Sequence, residues 1–338
     1  VHVAVDAHNL LADRRGIGVY LRAVLSRMLR DGGCELTLLV RRSLPILQKR
    51  ALAAELGSEN FAVSSRVPRD ADIAWHPWNG TFFRGAQRNA VTMHDAAPFA
   101  FPAAGERKRR SQQEPFEVSA ATADRIIADS HFTKGEIEKY LRVPAGRIAV
   151  VPLAADELFS PGTPLALPAA LRHRPYILYV GAIEERKNVT PLIAAWRSSL
   201  AGRGIALAIV SADEVPGDVT ALRDVSPAEC RDLYRGALAF AFPTLYEGFG
   251  LPALEALACG TPAVVSRAAS LPEVCGNAAY YIDEPKSAQA WSVALEQVVS
   301  SDELRRELSL RGPQQALKFS WDATVRETLR LLSEAAAA

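Results

Sequence analysis

Only four cysteines occur in 338 residues. Cys34, Cys230, Cys259 and Cys275 stand far apart, with no C-x-x-C pair and no matching histidine spacing. That scatter argues against a zinc centre or a disulfide framework and for isolated buried thiols. Net charge is equally scarce: 39 lysines and arginines face 38 aspartates and glutamates, a balance of +1. Such a chain has no bulk field with which to collect nucleic acid. No stretch approaches the roughly 18 uninterrupted apolar residues of a membrane span. Val1 leads directly into a strand pattern rather than a signal peptide, so the cytoplasm is the expected compartment. With 49% apolar residues the composition is that of a soluble globular protein.

The length is too great for one ordinary core and suits two α/β domains of about 150 to 170 residues each. Strand patterns recur from Val1–Val5 through Glu35–Val40, Phe61–Ser64, Ala71–Trp75, Ala90–His94, Arg125–Asp129 and Ile148–Val151. They alternate mostly with helical stretches, which predicts a doubly wound first domain over residues 1–160. Phe159 to Pro175, with prolines inside SPGTP, breaks the rhythm as a linker. A second alternation, Tyr176–Gly181, Ile205–Ser211, Leu238–Phe242, Pro262–Ser266 and Ala279–Ile282, predicts a second such domain over 161–320. Three helices close the chain, Lys286–Ser300, Asp302–Lys318 and one from Trp321 to about Ala335.

The most informative stretch is FPTLYEGFGLPALEALACGTPAVV, Phe242 to Val265. It places Glu247 at the carboxyl end of a buried strand, where open parallel sheets hold their ligands. A Gly-Phe-Gly turn then enters a helix containing Glu255. Gly248 and Gly250 permit a tight turn that can point the amides of Phe249, Gly250 and Leu251 outward at a positive helix end, a seat for an anion. Glu247 can accept hydrogen bonds from sugar hydroxyls and Glu255 from a vicinal diol such as ribose. A phosphate between two polyols describes a nucleotide sugar. Taken singly, Glu247 is also readable as an exposed loop acid and Glu255 as a complement to the helix dipole.

As a whole the segment, with SLPEV at Ser270–Val274, resembles the E-x7-E signature of the retaining GT-B glycosyltransferases of family 4. The resemblance covers essentially the whole chain. It implies an α/β fold of the GT-B type: two facing Rossmann-like domains with the ligand cleft between them. The last helix, 321–338, would cross back onto the first domain. It also implies an acceptor-binding first domain and a donor-binding second one. No D-x-D pair follows a strand, which counts against a metal-dependent sugar transferase of the other main fold, and no metal or cofactor is expected.

Four further constellations fit. VGAIEERKN puts Arg186 and Lys187 after the first strand of the second domain, where both can neutralise a diphosphate; a solvated basic pair is the plainer alternative. Many family members carry an arginine directly after the glycine, where this chain has Ala182, so Arg186 takes over that charge. In VTMHDAAPFAFP, His94 and Asp95 end a strand. The resemblance makes His94 the histidine of the catalytic centre, with Asp95 orienting it or contacting the acceptor, against a histidine merely satisfied by a backbone carbonyl. His76, between Trp75 and Trp78, is expected on an acceptor-contacting face. DRRGIGVY, Asp13–Tyr20, resembles the glycine loop that approaches the donor phosphate through Gly16 and Gly18, although a lone G-x-G is otherwise only a turn. Thr220–Val225 is where relatives seat the nucleobase through backbone groups.

The resulting expectation is a metal-independent retaining hexosyltransferase. It would move mannose from GDP-mannose to a saccharide or lipid-linked acceptor in cell-surface polysaccharide synthesis. The alternatives are a UDP-hexose-dependent transferase acting on a glycolipid or secondary metabolite, and a sugar-nucleotide 2-epimerase of the same fold. A dehydrogenase is disfavoured because the Gly16 loop lacks G-x-G-x-x-G spacing. Two basic patches, Arg41, Arg42, Lys49 and Arg50 around SLPIL and Arg107–Arg110, suit either peripheral contact with an anionic membrane face or ordinary solvated helices.

Overall fold

The computed structural model describes every residue except 13–15, 42, 43, 82 and 84. The chain divides into two compact units, one made of Val1–Leu153 with Ser320–Ala338 and the other of Ala154–Phe319. The division falls seven residues before the expected one, so the proline-rich segment belongs wholly to the second unit. No helix among the described residues is long and apolar enough to cross a membrane.

Among the described residues unit 1 holds seven strands: β1 (His2–Asp6), β2 (Glu35–Leu39), β3 (Ala62–Ser64), β4 (Ile73–His76), β5 (Asn89–Met93), β6 (Arg125–Ala128) and β7 (Ile148–Val150). They pair in parallel in the order β3-β2-β1-β4-β5-β6-β7. Both faces are covered by helices, which is why these strands read as apolar runs rather than alternations. The closing helix, Trp321–Ala337, belongs to this unit. Its buried residues, Trp321, Thr324, Val325, Thr328, Leu331, Leu332 and Ala335, form one helical stripe. Asp322 in its first turn accepts from Arg27 Nε and Arg30 Nη2, each at 3.1 Å, and Thr324 Oγ1 donates to the Pro152 carbonyl at 2.6 Å. These contacts explain how a segment far along the chain is recruited to the first sheet.

Unit 2 has six parallel strands: β8 (Tyr176–Val180), β9 (Ala206–Val210), β10 (Thr220–Leu222), β11 (Ala239–Phe242), β12 (Ala263–Ser266) and β13 (Ala279–Ile282). Their order, β10-β9-β8-β11-β12-β13, reverses direction between β8 and β11. That reversal opens a crevice at the carboxyl ends of these two strands, where doubly wound sheets bind ligands. β10 was not foreseen as a strand; it is three residues long, forms the sheet edge and carries the first part of the segment assigned to the nucleobase. The helix Pro227–Gly236 before β11 starts with a capping box between Ser226 and Glu229. All four cysteines are free thiols, three buried and Cys34 half-buried.

Candidate active site

The loops after β8 and β11 are stitched together by their own backbones. After β8, Gly181 adopts φ +151°, where an added Cβ would lie 2.9 Å from the Tyr179 hydroxyl, and that hydroxyl donates to the Ala182 carbonyl at 2.7 Å. A single helical turn, Glu185–Lys187, then ends at Asn188 in the left-handed conformation. The Asn188 side-chain Nδ2 donates to the carbonyls of Pro243 (3.0 Å) and Pro285 (2.7 Å). The Arg186 carbonyl accepts from the Leu245 amide at 2.7 Å and from Thr244 Oγ1 at 3.2 Å.

This stitching brings Arg186, Lys187 and Glu247 into one group. The Lys187 ammonium donates to Glu247 Oε1. Arg186 Nη1 donates to the Tyr246 carbonyl at 3.2 Å and lies 3.8 Å from Glu247 Oε2. Lys187 and Glu247 are each about nine-tenths buried. The counter-charge that two cations at a strand end require is thus supplied from within the protein. An ammonium has three N–H donors and a carboxylate about four lone-pair sites, so both groups retain capacity for a ligand.

The Gly-Phe-Gly turn follows directly. Gly250 has φ +99°, a left-handed conformation, and leads into the helix Leu251–Ala258 with its amino end toward the turn. Ser270, fully buried, shares its hydroxyl hydrogen between the carbonyls of Glu247 (2.9 Å) and Phe249 (2.7 Å) and so fixes the turn from behind. Ser270 opens the SLPEV segment, yet no local pattern disclosed this task. Glu255 sits one turn into the helix and accepts from the Tyr234 hydroxyl at 3.1 Å. Protein atoms crowd its carboxyl although part of the residue stays exposed. That desolvation pushes it up to about 7, against the opposing pull of the Tyr234 hydrogen bond.

The remaining expected site residues lie in unit 1. Gly16, with φ +45°, precedes the helix Ile17–Asp31, and Gly18 is buried in its first turn. The rest of that glycine loop, residues 13–15, lies outside the described residues, as does Arg42. His94 follows β5, and its ring nitrogens lie 2.7 Å from Asp129 Oδ2 and 3.2 Å from the Pro77 carbonyl. Asp95 accepts from the Ala97 amide at 3.0 Å, a local turn. His76 departs from expectation: as the last residue of β4 it is completely buried, 3.5 Å from the equally buried Asp6 carboxylate. It offers no surface to an acceptor, because β1 and β5 flank it and neighbouring elements close over it. Asp129 was overlooked, though its place just after β6 is the same kind of signal that singled out His94.

A doubly wound sheet with a glycine turn, two cations and a carboxylate at its switch point has the groups that phosphorylated, polyol-bearing ligands require, the chemistry of sugar-nucleotide-dependent transferases. Comparison with known proteins makes the class definite. The family model described as glycosyl transferases group 1 matches residues 169–315. The O-antigen chain mannosyltransferase B of Escherichia coli is 31% identical over 280 residues, covering 76% of this chain and 73% of that protein. The D-inositol 3-phosphate glycosyltransferase of Segniliparus rotundus is 28% identical over 227 residues, covering 60% of this chain and only 51% of the relative. Among solved structures, the Anabaena protein HepE in complex with UDP-glucose superposes with a TM-score of 0.73 at 12% identity, covering 98% of this chain and 99% of that one. The chain belongs to the group 1 glycosyltransferases and has the GT-B fold.

Proposed function

We propose that this chain is a retaining hexosyltransferase that takes mannose from GDP-mannose to a saccharide or lipid-linked acceptor of a cell-surface polysaccharide. The observation that carries the site assignment is the convergence of Arg186, Lys187 and Glu247 beside the Gly-Phe-Gly turn. The mannosyl reading is supported by the similarity to an O-antigen mannosyltransferase over three quarters of the chain. In this reading the free N–H groups of Lys187, the Arg186 guanidinium and the amides of Phe249, Gly250 and Leu251 hold the diphosphate. Glu247 binds the sugar hydroxyls and Glu255 the ribose diol. The bond from the sugar's anomeric carbon to the phosphate oxygen breaks while the acceptor oxygen bonds to that carbon on the same face. The acceptor's proton passes to the departing phosphate oxygen. Charge neutralisation comes from the protein, without a divalent ion. For unit 1 the same reading assigns donor-phosphate approach to Gly16 and Gly18, the catalytic histidine's role to His94 and acceptor contact to Asp95.

Peripheral attachment to an anionic membrane surface is part of the same reading. It is supported by Ile46 and Leu47, 74% and 78% exposed, beside Lys49 and Arg50 on one helix. Flotation with vesicles containing anionic lipid tests it, and equal partitioning with neutral vesicles removes it. Thermal-shift measurements with GDP, UDP, ADP and TDP test the donor. GDP should stabilise most, by about 2.7 kcal/mol at a hundredfold excess over Kd, and chelator should leave the shift unchanged. Transfer from GDP-mannose should give the α-anomer by NMR. A β-linked product, or stabilisation by UDP alone, would overturn the corresponding part.

A further inference from the structure

Unit 1 contains a buried polar group centred on His94 whose arrangement restricts what that histidine can do. Its Nδ1 lies 2.7 Å from Asp129 Oδ2 and its Nε2 3.2 Å from the Pro77 carbonyl oxygen. A carbonyl accepts only, and so does an ionised carboxylate. A neutral imidazole carries one N–H and can satisfy one of the two, whereas the imidazolium satisfies both. The ring has little freedom to escape this choice. The His94 amide donates to Asn79 Oδ1 at 2.6 Å, its carbonyl accepts from Thr133 Oγ1 at 3.4 Å, and the Tyr20 ring meets it edge-on at 4.9 Å. Asp129 is 2% exposed and immediately precedes Ser130, the cap of the helix His131–Leu141, where a negative charge is electrostatically favoured.

We propose that Asp129 is a positioning residue that keeps His94 doubly protonated and fixed in orientation, so that His94 serves sugar transfer as a cation and not as a proton acceptor. This inference rests on the placement of His94 at the reaction centre. Among the described residues, the ionisable groups facing the ring are Asp129 from the end of β6, Asp95 beside it in the chain, and Tyr20 from the helix Ile17–Asp31. Tyr20 stays neutral, since burial pushes its hydroxyl far upward. Burial of His94 by itself favours loss of the proton. The Asp129 charge and hydrogen bond, aided by the Pro77 carbonyl and Asp95, outweigh it, so the imidazole is raised above its ordinary value. A histidine so held cannot take the acceptor's proton, which leaves that proton to the departing phosphate oxygen. What it offers the reaction is its positive charge.

The experiment is a pH titration of the full-length protein labelled with 15N-histidine, with His94→Gln assigning the signal. Both His94 ring nitrogens should resonate as imidazolium at pH 7. In Asp129→Asn the signal should become that of a neutral ring. Turnover should fall about ten- to a hundredfold, as when an outer partner of an active-site histidine is lost, and the alkaline limb of kcat/KM should move to lower pH. Asp129→Glu should recover much of both. A neutral His94 in the parent protein overturns the proposal whether or not the Asn variant folds, and so does an unchanged titration in that variant. If His94→Gln turns over at the parent rate, the placement of His94 at the reaction centre fails instead, and the NMR result distinguishes the two.

Discussion

Replacing Lys187 by methionine tests the site most directly. The ammonium is 11% exposed and donates to a carboxylate exposed to the same extent. Removing one member of a buried pair generally costs about 3–5 kcal/mol, because the other charge stays desolvated. Glu247 would retain the Arg186 guanidinium at 3.8 Å, which places the expected loss at the low end, about 3 kcal/mol. For a unit of this size that is a fall in Tm of roughly 6–12 °C. Adding Glu247→Leu removes the stranded charge. The double variant should return to within about 1 kcal/mol of the parent, since a buried pair replaced by apolar residues of similar volume is often near neutral. Turnover should not return: both variants should lose about two to three orders of magnitude, the scale of a missing preorganised donor. Urea unfolding followed by tryptophan fluorescence gives the first quantity, and product formation under saturating donor the second. A single variant that loses less than about 0.5 kcal/mol and turns over within a few-fold of the parent would refute the reasoning on both counts.

The Glu255 carboxyl, raised to about 7 from 4.5, binds a proton more readily folded than unfolded. Stability should therefore decline as pH rises from about 4.5 through 7, and Glu255→Gln should stabilise the protein above pH 7, by about 3 kcal/mol at most, with the gain vanishing in acid. The proposed ribose contact needs the carboxylate, so on that reading nucleotide affinity measured by calorimetry should weaken below about pH 7 in the parent and lose that dependence in the variant. His94 runs the other way: its folded value is raised, so its contribution is full below the ordinary histidine range and lost as pH rises through the folded value. Asp129→Asn should flatten that part of the stability profile. Gly250→Ala would place a Cβ 2.8 Å from Leu271 Cδ2 at φ +99° and should cost about 1–3 kcal/mol, read by denaturant midpoint. Ser270→Ala removes the shared hydroxyl donor behind the turn and should cost about 1–2 kcal/mol while raising the donor KM more than it lowers kcat.

Much of the fold was legible because a strand covered on both faces is an apolar run between turn signals, and twelve of the thirteen strands among the described residues were read from the sequence. β10 did not: three half-exposed residues at a sheet edge carry no run to see. Arg186, Lys187 and Glu247 were legible as residues following strand ends, since the carboxyl edge of a parallel sheet is where ligands go. Their partners were harder. Tyr234 reaches Glu255 from another helix, Ser270 reaches the glycine turn from twenty-odd residues on, and His76 is sealed by strands that are its neighbours only once the sheet has formed.

The order of apolar runs, glycines and charged strand ends along this chain determined by itself that there would be two wound sheets with a glycine turn into a helix in the second, because backbone period and turn chemistry are local properties. Which charges meet was decided by the tertiary structure alone. The reversal of strand order between β8 and β11 sets two loops separated by some sixty residues side by side, and the packing around β5 and β6 sets the His94 ring between Asp129 and the Pro77 carbonyl. Distance and desolvation govern electrostatics, and neither exists until the strands have assembled.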